Sequence, residues 1–439
     1  MPENNQPFSL PEDYLDRGKA LAWAFYDWAN STFATTVMAG FFPVFFKQYW
    51  SADNAATTSS FWLGMANSLS SLVIMLLSPP LGAIADRGSA KKRLLVFFSL
   101  LGILATAALY GVARGQWPLA CLLYGVGVIG FSGATAFYDA LIVVVAGERK
   151  LDIVSALGFS LGYLGGGLLF AVNVLMTLYP QAFGLPDAAT AVRLSFLMVA
   201  VWWAVFSLPL LLFVPEPPNP DRMGGWAAVR AGLLQLRQTL ADIRRLRVVG
   251  LFLLAYWLYI DGVDTIVRMA VDYGLALGFA ADDLIVALLI TQFVGFPAAL
   301  VFGRLGERLG ARYGILIGIG AYTLITLCGY FISKPWHFYA LAIAIGLVQG
   351  GIQSLSRSFY ARLIPAEKSG EFFGFYNMLG KFAAVIGPAL MGWVSRMTGN
   401  PVCPSCRYCR CSSAEPCCCC GWTKRKAGGW RRPCEKSYS

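Results

Sequence analysis

Gly82-Ala83-Ile84-Ala85-Asp86-Arg87-Gly88-Ser89-Ala90-Lys91-Lys92 has a counterpart far downstream in Gly303-Arg304-Leu305-Gly306-Glu307-Arg308-Leu309-Gly310-Ala311-Arg312. Both begin with a glycine, place an acid four positions on with an arginine beside it, and reach a further basic residue four positions later. Each copy closes an apolar stretch, Ser60 to Ala85 before the first and Leu284 to Phe302 before the second. One pattern at two equivalent places implies two related halves running in parallel. The glycine admits close helix approach, and the acid can pair with basic residues across the loop to hold one conformation until something breaks it. An ordinary basic loop at a membrane surface would account for the positive charges but not for the repeated glycine and acid.

The same alternation of apolar run and polar break extends in both directions. Runs of roughly 20 residues or more lie at Ala20 to Phe46, Ser60 to Ala85, Leu94 to Ala113, Trp117 to Val145, Ile153 to Tyr179 and Val192 to Val214. A second set lies at Val248 to Ala270, Leu284 to Phe302, Tyr313 to Ile332, Trp336 to Leu363 and Phe372 to Ser395. With 57% hydrophobic and 13% charged residues, the chain does not read as a water-soluble domain. Over such lengths in lipid, helices satisfy their own backbone groups. The expected fold class is therefore all-α and polytopic. A six-helix bundle spans 20–214, and a second bundle at 248–396 has five helices and lacks its last. Residues 1–19 are polar, with Glu12, Asp13, Asp16 and Arg17, and lack the basic-then-apolar order of a cleaved signal.

Lys91, Lys92, Arg93, Arg149, Lys150, Arg244, Arg245, Arg247, Arg304, Arg308, Arg312 and Lys368 fall in alternate loops. Those loops, and the N-terminus, are expected on the cytoplasmic side, of a bacterial inner membrane. Between the bundles, 215–247 forms a linker. There Trp226, Val229, Leu233, Leu236, Leu240 and Ile243 recur at steps of three and four among arginines, which predicts an amphipathic helix along the inner membrane surface. The formal charge of +11 does not point to nucleic acid, because eight basic residues against two acidic ones lie beyond Pro401.

That tail, 397–439, holds nine of the eleven cysteines. The two-residue gaps between Cys403, Cys406 and Cys409 would suit a thiolate metal site. A displaced reading frame fits better, since cysteine codons begin with TG and a one-base shift turns each into a codon for Leu, Val or Met. In that frame Cys417 to Lys424 reads as leucines ending in charged residues, as a membrane helix ends. No metal and no cofactor are expected.

The glycine, acid and basic residues after the second and eighth apolar runs resemble the signature of the major facilitator superfamily. Trp23-Ala24-Phe25-Tyr26-Asp27-Trp28-Ala29-Asn30-Ser31, taken with the polar residues of the seventh and tenth runs, is similar to the autophagy-related vacuolar effluxer family, here its bacterial branch. The likeness runs from Trp23 to about Thr398. It implies a twelve-helix transporter, with efflux of amino acids or similar metabolites among the family's activities.

Ionisable residues inside apolar spans are costly, roughly 3 kcal/mol each if unpaired, and mark wet cavities or partners. Ala24-Phe25-Tyr26-Asp27 recurs as Ala136-Phe137-Tyr138-Asp139, on the inverted-repeat counterpart of the first helix. Asp27 lies about 10 Å in from its helix start, and Asp139 comes to similar depth. Asp261, Asp264 and Arg268 share one face of the seventh helix. Gln349, Gln353, Ser356 and Arg357 offer donors on the tenth, and Asn377 and Lys381 stand on the eleventh. The expected solute or proton pathway is Asp27, Asn30, Asp139, Asp261, Asp264, Arg268, Gln349, Gln353, Arg357 and Asn377, with Arg357 pairing Asp139 or Asp27 as an inner gate. The expected gating motif is Gly82, Asp86, Arg87, Lys91, Lys92, Gly303, Glu307 and Arg308. Carboxylates and amides that merely hold helices together are the plainer alternative. These residues imply alternating access by a secondary transporter, with a small solute, protons and the lipid bilayer as partners. A transporter-like receptor or assembly protein without turnover is the other reading. An enzyme is disfavoured, for no nucleotide-binding glycine loop, histidine pair or serine elbow occurs in a suitable context.

Overall fold

Long apolar runs, separated by turns that use glycines such as Gly115, Gly184 and Gly310 at positive φ, fold as a succession of helices. The computed structural model describes residues 10–52, 56–216, 223, 225–245, 247–276, 281–329 and 334–382. Its helices are α1 (Arg17–Thr32), α2 (Ala56–Gly88), α3 (Lys91–Ala108), α4 (Trp117–Ala140), α5 (Leu151–Leu178), α6 (Ala188–Phe213), α7 (Gly225–Arg245), α8 (Arg247–Ala276), α9 (Ala281–Leu309), α10 (Ala311–Gly329), α11 (Pro335–Leu363) and α12 (369–382). Among the described residues nine helices are long and apolar enough to cross a membrane, α2 to α6 and α8 to α11. The cysteine-rich tail and its reading frame lie outside the described residues, as does most of the expected eleventh span.

The first span departs from expectation. The α-helix stops at Thr32 and continues as wider π turns over Phe33–Phe41, a single α turn at Phe42–Phe45 and π turns again to Trp50. Such bulges shift side chains around the helix axis, and here the first of them contains a β-branched run, Thr35-Thr36-Val37. Parallel to it, α5 contributes a ladder of glycines, Gly158, Gly162 and Gly166 meeting Asp27, Ser31 and Thr35 in that order. A Cβ on Gly162 would stand 2.6 Å from Ser31 Oγ, and one on Gly166 would stand 2.7 Å from Thr35 Oγ1. Only bare backbone allows α1 and α5 to come this close.

Helix ends are finished by side chains. Asp187 caps α6 by accepting from the Thr190 N–H, and that bond holds its carboxyl below the usual range. Glu216 accepts from the N–H groups of Lys91 and Lys92 at 2.8 and 2.9 Å, capping α3. Lys92 Nζ returns the favour to α6, donating to the carbonyls of Leu211 and Val214 at 2.8 and 2.7 Å. Opposite charges thus sit at opposite helix poles. Lys92, expected in the gating motif, joins two helices of one half.

The ends of α2, α9 and α11 and the starts of α3, α5 and α12 gather at one pole of the molecule, hereafter the basic end. There the two halves meet, across α2 and α12 and across α5, α9 and α11. The segment before α1 lies against the same pole. Leu15 bridges Ala146, and a Cβ on Gly147 would fall 2.0 Å from the Pro11 carbonyl oxygen.

Candidate functional site

Arg357 on α11 is 2% exposed, and every polar edge of its guanidinium is used. Nε donates to Ser155 Oγ at 2.9 Å and one terminal nitrogen to the Ser155 carbonyl at 2.9 Å. The other donates to Asp139 Oδ1 at 2.9 Å, and both lie 3.4 Å from Asp27 Oδ2. Its faces are covered by aromatic rings, Phe159 at 4.4 Å, Trp23 at 4.8 Å and Tyr138 at 5.4 Å. Stacking of this kind suits the weakly hydrated guanidinium and not a lysine.

The two carboxylates are themselves held. Tyr138 Oη donates to Asp27 Oδ2 at 2.8 Å, and Asn377 Nδ2 to Asp139 Oδ2 at 3.3 Å. The two Ala-Phe-Tyr-Asp copies, on α1 and α4, thus converge on one arginine from the other half, with Tyr26 and Tyr138 rings 5.0 Å apart. Gly158 makes room, since a Cβ there would stand 2.5 Å from Asp27 Oδ2 and 3.0 Å from the arginine. One guanidinium faces two carboxyl groups in a layer walled by Trp23, Tyr26 and Tyr138, all fully buried. Such a cluster is stable only while its geometry is complete.

The other expected pathway residues are not in this cluster. Asn30 is buried one turn along α1, and Gln349 and Gln353 are half-buried on the Arg357 face of α11, at about 12 and 6 Å farther from the basic end. Asp261 and Asp264 are half-buried on α8 and engaged in interactions of their own. The Arg268 side chain lies outside the described residues.

Two further layers close the basic end. In the first, Asp86 accepts the N–H groups of Gly370 and Glu371 at 3.0 and 2.8 Å, an acid set on the N-terminus of α12. Lys91 Nζ pairs with Asp86 at 2.8 Å and donates to Ser369 Oγ at 2.8 Å. A Cβ on Gly82 would lie 2.2 Å from the Gly370 carbonyl oxygen, so α2 and α12 touch backbone to backbone. In the second, buried Asp152 on α5 pairs with Arg362 at 2.7 Å and accepts from Ser358, both on α11.

The duplicated motif behaves differently in the second half. Glu307 does not pair across its own loop with Arg308 or Arg312; it pairs with Lys150 of the first half. Arg308 and Arg312 are exposed, and among the described residues neither makes an ion pair. Gly303 does pack closely, its missing Cβ 2.4 Å from that of Ala156. Ser155, Asp152, Arg362 and Gln235 were not singled out from sequence. Asp152 carried the one readable signal, an acid on the first turn of an apolar span.

Solved structures similar to this chain share its fold. The human organic anion transporter MFSD10 aligns with a TM-score of 0.64 at 15% identity, covering 89% of this chain and 95% of that one. The proton:xylose symporter XylE, bound to 6-bromo-6-deoxy-D-glucose, aligns at 0.63 and 14%, covering 87% and 88%. The fold is that of the major facilitator superfamily, and the protein is a multi-pass membrane transporter of that class.

The family model described as vacuole effluxer Atg22 like matches residues 16–406. An MFS-type transporter of Bacillus subtilis strain 168, YxiO, is 38% identical over 387 residues, which is 86% of this chain and 89% of that protein. Autophagy-related protein 22 of Yarrowia lipolytica is 25% identical over 419 residues, or 76% and 70% of the two chains. The chain belongs to the Atg22-like vacuole effluxer family.

Proposed function

We propose that the protein is a secondary active transporter that moves a small solute by alternating access, with Arg357, Asp27 and Asp139 as the gate at the basic end. The observation that carries this reading is a buried guanidinium from one half bonded to two carboxylates of the other. Opening the basic end withdraws Arg357 from Asp27 and Asp139. A carboxylate left in that apolar layer then needs water, solute or a proton. Protons taken up at Asp27 or Asp139 would therefore couple an ion gradient to the opening. Asn377 steadies the gate through Asp139, and Asn30, Gln349, Gln353 and the α8 group of Asp261, Asp264 and Arg268 would line the route beyond it. The basic end is assigned to the cytoplasm, in a bacterial inner membrane, because its loops carry the Lys and Arg excess. Efflux of amino acids or similar metabolites is the direction and cargo suggested by the family.

Flux into proteoliposomes under an imposed proton gradient tests the proposal. Arg357→Asp and Asp139→Arg should each abolish uptake, since either leaves like charges facing one another in a buried site. The double reversal should recover a measurable part of it through the restored pair. Wild-type vesicles that carry no solute in a broad screen, while still binding one, would favour a receptor without turnover. A double reversal as inactive as either single change would overturn the gate.

A further inference from the structure

Helix α7, which joins the halves, has two working faces. Ala228, Gly232, Gln235 and Thr239 recur at steps of four, three and four and are all buried. Gly232 lies on α2, a Cβ there meeting the Ile84 backbone at 2.9 Å. Gln235, 3% exposed, spans the halves: Arg87 Nε of α2 donates to its Oε1, and its Nε2 donates to Glu371 Oε2 of α12 at 2.7 Å. Glu371 also gives its N–H to Asp86, so the side chain of α7 is wired into the closed layer at the basic end.

On the opposite side, Trp226, Arg230, Leu233 and Arg237 recur at the same steps and are all exposed, Trp226 at 80%. Among the described residues neither arginine makes an ion pair. The depth of this stripe is set by α2. Its outward leucines, Leu69, Leu72, Leu76 and Leu77, are exposed, and the chain then runs about 10 Å farther to the crossing at Ile84. That step carries α7 from the hydrocarbon edge to the headgroup layer. An indole and leucines interleaved with unpaired guanidinium groups at headgroup depth match anionic phospholipid. A soluble acidic partner would leave Trp226 and the leucines unexplained.

We propose that the outer stripe of α7 docks on anionic phospholipid in the leaflet at the basic end, and that this docking holds Gln235 between Arg87 and Glu371. Lipid charge thereby strengthens the closed state of the basic end. The inference needs neither turnover nor the identity of the solute.

Hydrogen exchange of the full-length protein in nanodiscs tests it, comparing phosphatidylcholine alone with phosphatidylcholine containing phosphatidylglycerol. Phosphatidylglycerol should slow exchange in peptides covering 225–239 and also 369–372, by up to about thirtyfold for two arginines facing an anionic leaflet. Arg230→Gln/Arg237→Gln should erase both effects. Gln235→Leu should keep the effect on α7 and lose it at 369–372. Equal exchange of wild type in the two lipids, or a lipid effect that survives loss of both arginines, overturns the docking. A response at 369–372 that survives Gln235→Leu overturns the coupling. Equal slowing by polyglutamate added to phosphatidylcholine discs would assign the stripe to a soluble partner and overturn the leaflet as its occupant.

Discussion

Asp86 and Glu307 occupy matching places in the two halves yet live in different physical worlds. The Asp86 and Lys91 side chains are 2% and 3% exposed, and the acid is set on the first amides of α12. Glu307 and Lys150 are 31% and 30% exposed. Pseudo-symmetry would set Glu307 on the start of α5, as Asp86 is set on α12, since Gly303 approaches the Asp152 carbonyl much as Gly82 approaches that of Gly370. The difference lies in the receiving helix. In the first turn of α12 Gly370 is bare and the one carboxylate, Glu371, is bonded to Gln235, whereas the equivalent turn of α5 carries the carboxylate of Asp152, already engaged with Arg362 and Ser358. A second acid there would face like charge at close range, so Glu307 turns outward to Lys150. Duplicated residues keep a duplicated role only where their surroundings are duplicated too.

The largest expected effect breaks the buried member. Asp86→Ala strands the Lys91 ammonium and two amides in a dry layer, a loss of roughly 3–5 kcal/mol. Thermal unfolding in detergent should drop by many degrees. The same substitution at Glu307 removes a half-exposed pair worth about 0–1 kcal/mol and should barely move it. Comparable losses for the two would mean that their difference in burial has no energetic weight.

The extent to which such differences could be read from sequence follows from what each residue type reveals. Span lengths announce themselves because hydrocarbon demands uninterrupted apolar runs, and the spans from α2 to α6 stand where those runs stand. Arg357, Asp27 and Asp139 could be grouped because charges in such runs need partners and their depths agree. Ser155 could not, since a serine in a helix reads equally as packing, cap or nothing. The π turns after Thr32 leave no simple spacing. Gln235 was hidden because the linker was judged by its apolar stripe, whereas its small and polar stripe is the one that meets the protein. The outward turn of Glu307 depended on Asp152, a residue some 150 positions away that no local pattern connects to it.

A middle-sized effect separates charge from shape at the buried site. Adding Lys91→Met to Asp86→Ala removes the stranded cation while keeping a side chain of similar length. The double variant should regain most of the stability lost by Asp86→Ala alone, because replacing a whole buried pair by apolar groups is often close to neutral. What it does not regain measures the two α12 amides left without an acceptor, about 1–3 kcal/mol at most. A double variant as unstable as the single one would place the damage in those amides rather than in the ion pair.

The smallest expected effect distinguishes the two pairs without altering either. Raising ionic strength from 0.1 to 1 M shortens the screening length from about 10 to about 3 Å. Ions reach Lys150 and Glu307 but not Lys91 and Asp86. The small stability difference between wild type and Glu307→Ala should therefore shrink toward zero in high salt, while that between wild type and Asp86→Ala should hold. Two differences that fall together would show that water and ions reach Asp86, and that the basic end opens often enough at rest for its innermost layer to behave as surface.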